Sequence, residues 1–99
     1  MNPTQQPLSE PKIADLLRRM PEWALEDGKL VRYWTFADFS KAMDFVDHVA
    51  RLAEQEGHHP DIDIRYNRVK LALVSHDAGG ITQRDADMVR QLDSAGLTT

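Results

Sequence analysis

The sequence predicts an α+β domain, a four-stranded antiparallel sheet with helices on one face, in the order α-β-β-α-β-β-α. Two observations predict it. Apolar residues recur at helical spacing in three stretches. Two pairs of alternating stretches are each joined by a turn signal. Each pair therefore closes as a hairpin, which makes the sheet antiparallel and leaves the helices to cover it.

The elements follow in order. Residues 1–8 carry two prolines and read as a frayed, disordered terminus, with one domain over 9–99. Ser9 is a helix N-cap, with Glu10 and Pro11 tolerated in the first turn. Ile13, Leu16, Leu17 and Met20 keep helical spacing until Pro21 ends it. Trp23 to Leu25 and Leu30 to Phe36 flank Asp27-Gly28, a pair suited to a turn that needs positive φ at both centres. Arg32 interrupts the face shared by Leu30, Trp34 and Phe36. The longest helix runs from Asp38, its cap, to about Gln55, and Gly57 stops it. Ala42, Phe45, Val46, Val49, Leu52 and Ala53 form its apolar stripe. Asp61 to Tyr66 alternates, Asn67 turns, and Val69, Leu71 and Leu73 line the next strand. If that strand reaches His76, parity points His76 away from Leu73. Ala78-Gly79-Gly80 is a loop. The last helix starts near Thr82, with Asp85 closing a variant capping box, and Gly96 ends it. Tyr66 and both tryptophans are expected in the core.

Composition limits the function. The chain has 99 residues, a net charge of −4 and no cysteine. The acidic balance argues against a nucleic-acid binder. Thiol nucleophiles, disulfides and Cys-based zinc sites are excluded. No apolar run approaches a membrane span, and no leader is seen, so a cytoplasmic protein without membrane contact is expected.

Chemistry concentrates in three histidines at element ends. His58 and His59 precede the third strand, and His76 follows the fourth. A hairpin about Asn67 brings all three to one edge of the sheet. Imidazole titrates near neutrality, so such a cluster can hold both an acid and a base. Zinc lacks HxxxH or HxH spacing here, and no metal is expected. Taken singly, Pro60 is a strand-start residue, Glu54 a solvated helix position and Asp85 a helix-start charge.

Taken together the spacing is distinctive. His58-His59-Pro60 is followed by five residues and Tyr66, nine and His76, then eight and Asp85, within EQEGHHPDI and SHDAGGITQRD. This pattern resembles the pterin-4a-carbinolamine dehydratase family, whose mammalian members double as a dimerisation cofactor of a homeodomain transcription factor. The resemblance spans about residues 9–95. It implies dehydration of a 4a-hydroxytetrahydropterin to quinonoid dihydropterin, recycling the cofactor of aromatic amino-acid hydroxylases without metal or organic cofactor. It implies catalytic roles for His58, His59 and His76, and supporting carboxylates at Glu54 and Asp85. His58, His59, Pro60, Ser75 and His76 would bind substrate. On this reading Asp85 orients His76 and Glu54 orients His58, while the acid and base roles stay open between His58 and His76. The family also implies dimers joined sheet edge to edge, or tetramers through the long helix. Mammalian members carry Trp where this chain has Ile62, and often Thr where it has Ser75.

The alternative is a non-enzymatic pterin-binding or protein-binding accessory module, coactivator-like or molybdopterin-linked. It would use the long-helix stripe around Phe45, Val49 and Leu52 as a partner surface.

Overall fold

The structure, a computed structural model, describes residues 6–94. Its order is α1 (Glu10–Arg19), β1 (Ala24–Glu26), β2 (Lys29–Thr35), α2 (Phe39–Glu56), β3 (Asp61–Arg65), β4 (Arg68–Leu73), a short 3-10 turn (His76–Ala78) and α3 (Gln83–Ser94). The strands form one antiparallel sheet in the order β1-β2-β4-β3. This is the predicted α+β architecture and order.

Local chemistry accounts for the boundaries. Ser9 Oγ accepts from the Lys12 N–H, and Asp38 Oδ1 accepts from the Lys41 N–H at 2.8 Å, so both predicted caps form. Asp27 and Gly28 have φ of 50° and 74°, as the tight hairpin requires. At the second hairpin Tyr66 takes φ 52°, and Asn67 is clamped to the end of β2. Its Nδ2 donates to the Phe36 carbonyl at 2.7 Å, and its own carbonyl accepts from the Phe36 N–H at 2.8 Å.

The core lies between one sheet face and the three helices. Leu30, Trp34, Val69, Leu71 and Leu73 of the sheet form one cluster with Leu16, Phe45, Val49, Met88, Val89 and Leu92 of the helices. Trp23 and Trp34 meet edge to face at 5.9 Å, and Phe45 packs on Trp34 at 4.7 Å. Arg32 keeps the core face despite its charge. Its guanidinium lies 4.4 Å from the Trp34 ring centroid, while its head reaches Asp93 at 3.2 Å.

Several expectations are corrected. Tyr66 is exposed, because a turn position with positive φ carries it off the sheet. Phe45 and Val49 are buried and Leu52 packs against the core, so the α2 stripe is not a free partner surface. The fourth strand stops at Leu73, and the parity argument for His76 lapses because that residue opens the 3-10 turn. Of the frayed segment expected at 1–8, positions 1–5 lie outside the described residues. Leu8 donates its N–H to the Ile81 carbonyl at 2.7 Å and packs on the core. The expected stop at Gly96 also lies outside the described residues. Among those described, no helix is long and apolar enough to cross a membrane.

Candidate active site

Two chain reversals build the site. The first is the end of α2. Gly57 adopts φ 64°, its N–H and that of His58 both turn back to the Ala53 carbonyl, and the helix stops in one residue. This throws His58 and His59 out at the entrance to β3, where Pro60 needs no ladder donor. The second reversal follows β4. Ser75 pairs with Gly80 as an isolated antiparallel bridge, and Gly79 takes φ 75° inside the loop. Its tight return delivers Thr82 to the start of α3.

There the predicted capping box forms. Asp85 Oδ2 accepts from the Thr82 N–H at 2.8 Å, and Thr82 Oγ1 accepts from the Arg84 N–H at 3.2 Å. The same carboxylate does more than cap. Ser75 Oγ donates to Oδ2 at 2.9 Å, and His58 Nε2 is hydrogen-bonded to Oδ1 at 2.5 Å. Asp85, Ser75 and Thr82 are almost wholly inaccessible, whereas the His58 side chain retains 11% exposure. Asp85 therefore joins the two chain reversals through one buried side chain.

The carboxylate pairing differs from the expected one. Asp85 holds His58, not His76, and Glu54 holds His59, not His58, through a 2.5 Å contact between Oε2 and Nε2. The Ser75 hydroxyl and the Thr82 amide occupy Oδ2, which leaves Oδ1 to His58 from the α2–β3 turn. Glu54 sits one turn before the helix end and reaches the second imidazole rather than the first. The His59–Glu54 pair is exposed, unlike the His58–Asp85 pair.

His76 is adjacent in sequence to Ser75 and lies on the exposed side of this corner. Its imidazole enters no side-chain hydrogen bond among the described residues. The turn that carries it is fastened to α3 by Arg84 Nη2 and Asp77 at 2.7 Å. The Arg84 guanidinium holds the Asp77 carboxyl below the usual carboxylate range, chiefly through that hydrogen bond. Ser75, expected to bind substrate, has its hydroxyl committed to Asp85 and Thr82. Thr82, expected only as a helix start, joins the network through Ser75 and Asp85. The Thr-x-x-Asp box was its visible signal. No three His, Asp or Glu side chains among the described residues come together as a metal-binding group.

The site defines a class, a small α+β domain that sets one imidazole on a buried carboxylate and a second on an exposed one. Comparison with known proteins gives this class its family. Residues 6–95 match the family model for pterin 4 alpha carbinolamine dehydratase. A protein of Chloroflexus aurantiacus is 55% identical over 86 residues, 87% of this chain and 92% of its own length. One of Acidobacterium capsulatum is 51% identical over 87 residues, 88% of this chain and 95% of its own. Both names assign those proteins provisionally to pterin-4-alpha-carbinolamine dehydratase. The crystal structure of a transcriptional coactivator/pterin dehydratase from Brucella melitensis superposes with a TM-score of 0.83 at 34% identity, covering 90% of this chain and 97% of that one. The chain belongs to the pterin-4a-carbinolamine dehydratase family, and is an enzyme of that dehydratase class.

Proposed function

We propose that the chain removes water from a 4a-hydroxytetrahydropterin by histidine acid–base catalysis, giving quinonoid dihydropterin for reuse by an aromatic amino-acid hydroxylase. The observation that carries this reading is the buried Asp85–His58 pair, whose Ser75 contact sets His76 at the same corner. The 4a-hydroxyl is a poor leaving group and departs as water once an imidazolium protonates it. The N5 proton passes to a neutral imidazole, and the N5–H electron pair becomes the second bond between C4a and N5. His58 and His76 share these two transfers. His59, steered by Glu54, orients the pterin, and Pro60 shapes the floor beside it. No redox step is involved. Stopped-flow decay of freshly generated 4a-hydroxytetrahydropterin tests the reading. Acceleration by the protein supports it, and an unchanged decay at micromolar protein overturns it.

The working form we propose is a homodimer joined through β3. All five residues of this edge strand are exposed, and Ile62, Ile64 and Tyr66 are among the large exposed apolar side chains. An antiparallel self-pairing centred on Ile64 sets Asp63 opposite the partner's Arg65 and Ile64 opposite the partner's Ile64. Unlike charges then face each other along the ladder. A lysine on an open edge opposes such pairing. Ile64→Lys is therefore expected to sediment as a monomer at concentrations where the unsubstituted chain is dimeric. A wild-type monomer, or an unaltered dimer in the variant, excludes this edge.

A further inference from the structure

We infer that Ser75 and Thr82 are positioning residues that fix the tautomer of His58, so that Nδ1 is the nitrogen that exchanges protons with substrate. The identity of that substrate rests on the dehydratase reading, but the tautomer does not.

The argument is a proton inventory. A serine or threonine hydroxyl has one proton to give. The Ser75 proton goes to Asp85 Oδ2, with the oxygens 2.9 Å apart. The 2.8 Å contact between the Ser75 and Thr82 hydroxyls must then use the Thr82 proton, donated to Ser75 Oγ. Thr82 Oγ1 in turn accepts from the Arg84 N–H. Every donor in this chain points toward Asp85: Arg84 amide to Thr82 hydroxyl, Thr82 to Ser75, Ser75 to carboxylate. The Thr82 amide adds a second donor at the same oxygen, 2.8 Å away. The carboxylate is inaccessible to water, so no solvent proton competes at either oxygen. Asp85 is thus an acceptor on all sides, and the proton shared with His58 belongs to Nε2. In the neutral ring the lone pair is then on Nδ1, which Asp85 does not touch.

The Ser75 hydroxyl has no other evident duty, while that of Thr82 also caps α3. Neither is exposed, so neither is free to touch a ligand, and an alanine at either place would fill the same core. What a hydroxyl adds is direction. Without the Ser75 proton, Asp85 can turn or take up a proton itself, and either event lets His58 bind through the other tautomer. The arrangement parallels the general rule that the partner of one imidazole nitrogen decides the chemistry of the other.

Long-range proton–nitrogen NMR of the histidine-labelled protein, recorded above the imidazole titration, tests this. His58 is expected as the Nε2–H tautomer in the unsubstituted chain. Ser75→Ala should show a mixture of both tautomers at His58, with kcat reduced by about tenfold, the lower end of general acid–base contributions being about 10²-fold. Ser75→Thr should restore both, because it restores the hydroxyl. His59, held by Glu54 outside the network, should keep its spectrum throughout. An Nδ1–H tautomer at His58 in the wild type overturns the inference, as does a Ser75→Ala protein with unchanged tautomer and kcat. Should Ser75→Ala not fold, the wild-type spectrum still decides. The Nε2–H tautomer in a protein without dehydratase activity would uphold the network and remove the substrate assignment instead.

Discussion

His58→Ala is expected to slow dehydration of 4a-hydroxytetrahydropterin by about 10²–10⁴-fold, the usual worth of a general acid or base. His76→Ala should fall in the same range, and the double variant should approach the uncatalysed rate. The two single variants ought to differ in stability. The His76 side chain is exposed and enters no hydrogen bond among the described residues, so its removal should leave the unfolding midpoint nearly unchanged. Removing His58 strips Oδ1 of a buried carboxylate of its partner, at a cost of about 1–3 kcal/mol. For a domain of this size each kcal/mol is about 4–8 °C in Tm. Stopped-flow kinetics beside calorimetry separate the effects. A double variant with normal turnover would sink the assignment of both histidines.

Asp85→Asn is expected to damage fold and catalysis together. The amide has the carboxylate's shape but only one acceptor oxygen. Two donors, the Ser75 hydroxyl and the Thr82 amide, claim that oxygen at the Oδ2 position. The NH₂ then faces His58 Nε2, and two donors oppose each other unless the ring changes tautomer. Turnover should fall by at least about 10²-fold. Stability should fall by about 1–3 kcal/mol, since a buried polar contact is left unsatisfied. Denaturant unfolding and the same stopped-flow assay measure both. Wild-type turnover in this variant would show that Asp85 serves only the helix. Unchanged stability would show that the Oδ1 contact with His58 contributes little to the fold.

Much of the fold was legible because its punctuation is local. Asp27-Gly28 fixes the first hairpin through backbone conformation alone, and Ser9, Asp38 and Gly57 mark helix ends by the same kind of short-range chemistry. The second hairpin was legible at the same level, and its pairing puts the entrance of β3, after His58 and His59, beside the exit of β4. The partners of those histidines were not. Which carboxylate reaches which ring depends on the Ser75–Gly80 bridge, a contact between chain segments that no periodicity encodes. Asp85 has a sufficient local reason to exist as a capping residue, and that reason concealed its second role. Tyr66 was misplaced for the opposite reason. Its apolar ring suggests burial, but the backbone of a two-residue turn decides where it goes. Arg32 breaks the alternation of β2 and still belongs on the core face, because its guanidinium stacks over Trp34 and pairs with Asp93.

Asp85 ties the start of α3 and the imidazole of His58 to one carboxylate. The two therefore open as one unit: the first turn of α3 cannot fray without releasing His58, and releasing His58 uncouples a helix from its own beginning. Proteins open locally with free energies that range from near zero to the global value, and each region's amides report its own opening. Here the Thr82 amide, inaccessible and bonded to Asp85, is a clock for the site. Its exchange with deuterated water counts how often this corner comes apart, in the absence of any ligand.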